Sequence, residues 1–292
     1  MDRTPTVIEA VRMSEGYLEK HGVESPRLSA EHLLAKALGC TRLDLYLRFE
    51  ETLGEPVLGE YRGDLKKRAK RVPLQYILGE VGFRSLSFRI EEDIFIPRPE
   101  TELLVELAEE LMRGRDSVRF IEFGTGSGAI AGALAAANRR WTGIAFDVSS
   151  EAAALAAANI EALGAADRVE ILVSDGFGEF AEEGTFDLVV SNPPYIPAGE
   201  IEGLQDEVAF WESRTALDGG EDGMSFYPVI ADAGRRLLRS GGALAVEIGH
   251  GQGGAVSEIL ADAGYIDVEM RRDYNGLERM VAGKRPEGAG GD

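Results

Sequence analysis

Hydrophobic and polar positions follow two different periods along this chain. Val7, Val11 and Leu18 fall on one side of a helix predicted from Thr6 to Lys20, and Leu33, Leu34, Ala37 and Leu38 keep helical spacing in a second. Ser25 followed by Pro26 reads as a cap and a first-turn proline, and Gly39 as the stop. Val57 to Arg71 is a third helix candidate. From 72 to 98 the character changes: Phe83, Leu86, Phe88 and Ile90 partly alternate with polar residues, as in a hairpin-bearing connector. Pro97 and Pro99 then bracket Arg98, and Glu100-Thr101-Glu102 opens a helix through Met112.

From Val118 the chain alternates strand and helix. The apolar runs predict strands at 118–123, 142–146, 169–173, 186–191, 242–248, 266–271 and 277–283. Helical spacing fits 127–137, 149–163, 226–239 and 252–263. Such alternation implies parallel βαβ units with right-handed crossovers. The last two strands are too close for an intervening helix, so they should form an antiparallel hairpin at the sheet edge. The expected organisation is a helical domain over 1–71, a β-hairpin linker over 72–98, an α/β domain over 99–285 and a glycine-rich, disordered tail over 286–292.

Composition narrows the function classes. A net charge of −20, from 51 acidic against 31 basic residues, disfavours nucleic acid as a partner, because phosphate binding rests largely on Lys and Arg. The one basic run, Lys66-Lys67-Arg68-Ala69-Lys70-Arg71, reads either as a solvated helix face or as a docking patch. A single cysteine, Cys40, excludes an internal disulfide and a cysteine zinc site, and no metal is expected. No apolar run is long enough for a membrane, and Met1-Asp2-Arg3-Thr4-Pro5 does not look like a secretory leader, which makes the cytoplasm the expected compartment.

Three features point to a nucleotide-like cofactor. The strand Val118–Phe123 runs into Gly124-Thr125-Gly126-Ser127-Gly128 and then a helix, a turn whose backbone can approach a ligand closely. Gly124, Gly126 and Ala129 also satisfy the dinucleotide fingerprint, so NAD, FAD and S-adenosylmethionine all remain open on this loop alone. Asp147 ends the next strand, where a carboxylate can accept ribose hydroxyls; the competing role is a helix cap, which Ser149 could fill instead. Asp175, with Gly176 after it, could meet an adenine amino group or simply form a turn.

The deciding residues follow strand 186–191: Asn192-Pro193-Pro194-Tyr195. An amide or exocyclic amine is a poor nucleophile because its lone pair is delocalised. Asn192 offers a side-chain carbonyl to accept a hydrogen bond from such an NH2 group. Pro193 offers a backbone carbonyl with no N–H of its own, and Tyr195 can lie flat against a planar group. The sulfonium methyl of S-adenosylmethionine is already electrophilic, so positioning can supply much of the rate without a metal or a covalent intermediate.

Asn-Pro-Pro-Tyr marks the amino-group methyltransferases. Along nearly its whole length the chain resembles the release-factor glutamine N5-methyltransferases (the HemK/PrmC family). The resemblance is carried further by Pro73-Leu74-Gln75-Tyr76-Ile77-Leu78-Gly79, Ile96-Pro97-Arg98-Pro99-Glu100-Thr101-Glu102, Ala216-Leu217-Asp218-Gly219-Gly220-Glu221-Asp222-Gly223 and Glu247-Ile248-Gly249. It implies a Rossmann-like, seven-stranded class I methyltransferase sheet behind a small helical domain. It implies S-adenosylmethionine contacts at Gly124, Thr125, Gly126, Ser127, Gly128, Asp147, Asp175, Gly176 and Asn192, and a glutamine pocket at Asn192, Pro193, Pro194 and Tyr195. Two positions depart from the family pattern. Glu122 stands where aspartate is usual, with its reach toward the methionine amine now in question, and the small Gly176 shifts any adenine stacking to Phe177.

The expected activity is methyl transfer to the glutamine of the Gly-Gly-Gln motif in peptide-chain release factors. The alternatives are an adenine N6 DNA methyltransferase, disfavoured by charge and by the lack of a DNA-recognition domain, and a catalytically idle nucleotide-binding adaptor, which would have no use for Asn192 to Tyr195.

Overall fold

The computed structural model describes residues 4–174 and 183–288. The chain divides into two compact units: residues up to Glu80 together with Gln205–Trp211, and Val81–Leu204 together with the chain from Glu212 onward.

The first unit is helical: α1 (Val7–Lys20), α2 (Pro26–Leu38), α3 (Arg42–Leu47), α4 (Glu55–Ala69) and α5 (Leu74–Leu78). Thr6 and Glu9 start α1 with a reciprocal capping box, satisfying backbone N–H groups that the first turn leaves unpaired. Pro26 opens α2 as expected, but Ser25 sits in the left-handed region and makes no side-chain capping bond. Val7, Val11, Leu18, Leu33, Leu34, Leu58 and Tyr61 are buried in one core. Helix α3 is not apparent from apolar spacing, because only Leu45 of its six residues is buried and Leu43 and Leu47 point outward, the reverse of an amphipathic helix.

The later segment contributed to this unit carries a short helix, α9 (Asp206–Ala209), and Trp211 packs against the helical core. Glu207 takes Arg68 Nη2 at 2.8 Å and also pairs with Arg71. Arg71 additionally donates to the Gly22 carbonyl at 2.7 Å. The basic run is therefore not one patch. Its two arginines are turned inward, and Lys66, Lys67 and Lys70 alone remain exposed.

Starting at the boundary residue Glu80, a two-stranded hairpin, β1 (Glu80–Phe83) and β2 (Leu86–Arg89), precedes α6 (Pro99–Leu111) of the second unit. The main sheet comprises β3 (Arg119–Phe123), β4 (Thr142–Asp147), β5 (Val169–Val173), β6 (Phe186–Ser191), β7 (Leu238–Glu247), β8 (Ile266–Arg272) and β9 (Glu278–Lys284). Its order is β5-β4-β3-β6-β7-β9-β8. Strands β3 to β7 pair in parallel, and β9 is antiparallel to both β7 and β8. All six residues of β6 are buried, as a parallel strand covered on both faces requires. Helices α7 (Ala129–Ala137), α8 (Ser150–Ala162), α10 (Tyr227–Leu237) and α11 (Gly253–Asp262) make the crossovers.

Two details differ from expectation. Strand β7 begins at Leu238, directly after α10, where apolar spacing had predicted continued helix; Leu238 pairs with Phe186, and a register shift lies between that pair and Leu188↔Ala243. The tail expected from Pro286 is tied down as far as Gly288, since Ser240 Oγ donates to the Pro286 carbonyl at 3.1 Å and accepts from Gly288 N at 3.0 Å. Residues 289–292 lie outside the described residues.

Candidate active site

The strand order reverses direction beside β3: β4 and β5 lie on one side, β6 and β7 on the other. Parallel α/β sheets bind ligands at the carboxyl ends of strands flanking such a switch point. The glycine loop leaves β3 there, and Asn192 leaves β6 one strand away. Ser191 Oγ donates to the Phe123 carbonyl at 2.9 Å, fastening the two strand ends together.

The loop is shaped by its neighbour β4. Gly124 N and Thr125 N both donate to the Phe146 carbonyl at 3.0 Å, and Gly126 N donates to Asp147 Oδ2 at 2.9 Å. Gly124, Gly126 and Gly128 have φ of 69°, 55° and 78°, a region that side chains rarely tolerate. A Cβ on Gly124 or Gly126 would meet no protein atom within 4 Å, so the space over the loop is open, whereas one on Gly128 would press on Ala156 of α8 at 3.1 Å.

Asp147 is not held in reserve for a ligand. Its Oδ1 accepts from Ser149 N at 3.0 Å while Oδ2 holds Gly126, and Ser149 caps α8 by accepting from Ala152 N at 3.1 Å. Each carboxylate oxygen can accept a second bond, so Asp147 can shape the loop and still receive hydroxyl donors. Thr125 commits both its amide and its hydroxyl to the protein, the latter to Glu122 Oε2 at 3.0 Å. Ser127 is buried with no partner for its Oγ. Asp175, Gly176 and Phe177 lie outside the described residues.

Glu122 is wholly buried beneath this loop. Its Oε2 also accepts from Ala131 N at 3.0 Å, bracing the first turn of α7, and its Oε1 has no partner. Burial pushes its carboxyl up to about 8, partly opposed by the Thr125 and Ala131 bonds. An unpartnered carboxyl oxygen and an open glycine cradle suit a ligand carrying an amine and an adenosine, so the residues present fit S-adenosylmethionine.

In the turn after β6, Asn192 and Tyr195 are half-buried and Pro193 is buried. Two later segments lock this turn. Ile196 N donates to the Leu217 carbonyl at 3.0 Å, and Gly219 N donates to the Ile196 carbonyl at 2.9 Å, a short parallel bridge. A Cβ on Gly219 would stand 2.8 Å from Tyr195 Cα, and one on Gly223 would overlap the Tyr195 carbonyl oxygen. Gln252 Nε2 donates to that same carbonyl at 3.0 Å. The Ala216–Gly223 segment is thus a glycine seat for Tyr195, a role that spacing in the sequence could not reveal. Behind the turn, Asn192 Nδ2 donates to Thr101 Oγ1 at 3.2 Å and the Tyr195 phenol donates to Glu247 Oε1 at 3.3 Å. Burial, with the charge of Glu247, pushes the phenol up, so it remains a donor. Thr101 and Glu247 stand inside sequence signatures noted above, yet their role depends on α6 and β7 meeting β6 in space.

Fold and site together define a class I, S-adenosylmethionine-dependent methyltransferase. The fold is shared with the hMettl16 catalytic domain solved in complex with MAT2A 3′UTR hairpin 6, at a TM-score of 0.58 and 18% identity over 78% of this chain and 84% of that one. It is shared too with a methyltransferase from Pyrococcus furiosus, at a TM-score of 0.51 and 19% identity over 70% and 91%. Residues 9–79 match the model of the PrmC N-terminal domain, and residues 99–221 that of the methyltransferase small domain. The chain is 41% identical to the release factor glutamine methyltransferase of Geobacter sulfurreducens, over 96% of each sequence. It is 39% identical to that of Chlorobaculum tepidum, over 95% of this chain and 96% of the relative. The chain belongs to the release factor glutamine methyltransferase family.

Proposed function

We propose that this protein methylates the side-chain amide nitrogen of the glutamine in the Gly-Gly-Gln segment of peptide-chain release factors. The observation that carries this reading is the rigid Asn192–Tyr195 turn, set one strand from an open glycine loop at the switch point of the sheet. S-adenosylmethionine supplies an electrophilic methyl group when bound. Gly124 to Gly128 and Asp147 would hold it, with Asp175 and Gly176 assigned on sequence alone. Asn192 Oδ1 and the Pro193 carbonyl accept hydrogen bonds from the amide NH2 and aim its nitrogen. Tyr195 packs against the planar group, with Pro194 holding the turn. The nitrogen gains a methyl and loses one proton to solvent, and S-adenosylhomocysteine departs.

The helical unit contains none of the cofactor-loop residues, and docking of the protein substrate is its proposed role. Its surface offers an apolar stripe at Leu43, Tyr46 and Leu47, which are 73%, 51% and 79% exposed. Among the described residues no helix is long and apolar enough to cross a membrane. A cytoplasmic location is proposed with the function itself, and the net charge of −20 disfavours direct DNA binding.

The test is label transfer from S-adenosylmethionine with an intact release factor and duplex DNA offered together at low salt, followed by mass spectrometry of the modified residue. Label on the Gly-Gly-Gln glutamine is expected. Label in DNA and none in the release factor would overturn the reading. In the same assay Asn192→Ala should lower kcat on the order of 100-fold, the scale of losing one aligned hydrogen bond at a reacting group. Calorimetry should find cofactor binding weakened far less than methyl transfer.

A further inference from the structure

The Asn192–Tyr195 turn rests on polar groups that the reaction as described does not use. Thr101, in the first turn of α6, is 2% exposed, and Glu247, the last residue of β7, is 1% exposed. Thr101 Oγ1 accepts from Asn192 Nδ2 at 3.2 Å, and the same hydroxyl helps to hold down the pKa of the neighbouring Glu247 carboxyl. The same carboxyl takes the Tyr195 phenol at 3.3 Å on Oε1, while Oε2 is buried without a partner. The two polar side chains of the turn therefore converge on one buried carboxyl, Tyr195 directly and Asn192 through Thr101.

The direction of these bonds has a chemical consequence. A hydroxyl has one hydrogen to give, and an ionised carboxylate can only accept. With Glu247 ionised, its charge favours a Thr101 hydroxyl hydrogen turned toward it, which leaves the hydroxyl oxygen to accept from its other neighbour. Asn192 must turn its NH2 toward Thr101, which directs its carbonyl oxygen the opposite way. The reversed amide would set an NH2 donor against the NH2 of a substrate and leave nothing to accept its protons. Such a flip cannot be judged from shape alone, since the amide oxygen and nitrogen are nearly isosteric, and the partner network decides it.

We propose that Thr101 and Glu247 are positioning residues: Thr101, with its hydroxyl oriented by the charge of Glu247, fixes the polarity of the Asn192 amide, and Glu247 seats the Tyr195 ring, making the site an acceptor toward the reacting nitrogen. This rests on the reading of Asn192 as the group that receives the substrate amide. Burial raises the Glu247 carboxyl to about 7, with Glu100 adding to the rise and Thr101, Tyr195 and Arg279 opposing it, so the arrangement is set in the upper part of the neutral range.

The experiment uses the full-length protein with an intact release factor, assayed a full pH unit above the Glu247 midpoint. Thr101→Val removes the hydroxyl at nearly constant shape, Thr101→Ser restores it, and Glu247→Gln replaces an obligatory acceptor with a group that can also donate. Thr101→Val should lower kcat about tenfold or more, the scale of misaligning one hydrogen bond in the transition state, with KM and cofactor affinity within about threefold of wild type. Thr101→Ser should recover most of the loss, and Glu247→Gln should lower kcat without altering cofactor affinity. In spectra of labelled protein, the Asn192 side-chain NH2 signals should shift in Thr101→Val and return in Thr101→Ser. Wild-type kcat in both Thr101→Val and Glu247→Gln would overturn the proposal. So would equal impairment of the Val and Ser variants, which signals packing and not the hydroxyl. If Thr101→Val fails to bind cofactor, Glu247→Gln and Thr101→Ser decide by the same criteria. A wild-type enzyme inactive on the release factor would remove the proposed function and this positioning role with it, whereas active wild type beside unaffected variants removes the positioning role alone.

Discussion

A buried carboxyl with an unpartnered oxygen destabilises the folded state whenever it is charged, and Glu122 is in that position beneath the glycine loop. Its folded midpoint, about 8, lies above that of an exposed glutamate. Between the two values the native protein keeps a proton that the unfolded chain has released, so stability falls as pH rises through that window. Glu122→Gln mimics the protonated form and removes this dependence. Thermal unfolding of the two proteins should agree near pH 5 and diverge toward pH 8 with the variant the more stable; parallel curves would show that Glu122 does not titrate there. Asp147 has no such orphaned oxygen, because both of its oxygens receive backbone N–H groups. Asp147→Ala should weaken cofactor binding by about 1–3 kcal/mol, through lost charge-assisted bonds and a loosened Gly126. Calorimetry reads this directly. The position of Asp147 at a strand end was legible in the sequence. Its second task in shaping the loop was not, since that depends on β4 lying beside β3.

At the scale of elements, the active-site turn is held less by its own prolines than by the glycines seated beneath it. Gly223 has φ of 78° and lies against the Tyr195 carbonyl with no room for a methyl group. Gly223→Ala should therefore displace Tyr195 and lose methyl transfer, with a stability loss of about 1–3 kcal/mol from overpacking and strain. Cofactor affinity should stay near wild type, because the glycine loop after β3 is a separate segment. A variant with full activity would show that the seat is dispensable. Strands and helices of the catalytic unit were largely readable, since long alternations of apolar runs leave few topologies. Element edges failed where burial overrode period: Leu237 and Leu238 look like consecutive helical residues, yet Leu238 begins β7. Helix α3 was invisible for the opposite reason, as its apolar residues other than Leu45 face outward.

At the scale of the whole molecule, a strongly acidic chain that acts on another protein needs a means of recognition other than bulk charge attraction. If the helical unit supplies it, Leu43→Ser with Leu47→Ser should raise KM for the release factor about tenfold, equivalent to ~1.4 kcal/mol of docking energy. The kcat at saturation and the cofactor affinity should not move. An unchanged KM would place docking elsewhere. The division into helical and α/β parts could be anticipated from period alone, but the contribution of 205–211 to the helical unit could not. Nothing in those seven residues signals it, because Glu207 and Trp211 look like an ordinary surface acid and a loop aromatic until Arg68, Arg71 and the helical core are seen around them.

That excursion of the chain bears on how such proteins can be recombined. A chimaera made by a single crossover near residue 80 inherits its helices from one parent and the 205–211 segment from the other. Glu207 of one lineage must then satisfy the arginines of another, and Trp211 must fit a foreign core. The helical unit is a module that is discontinuous along the gene, so exchanging it intact between relatives takes both segments together.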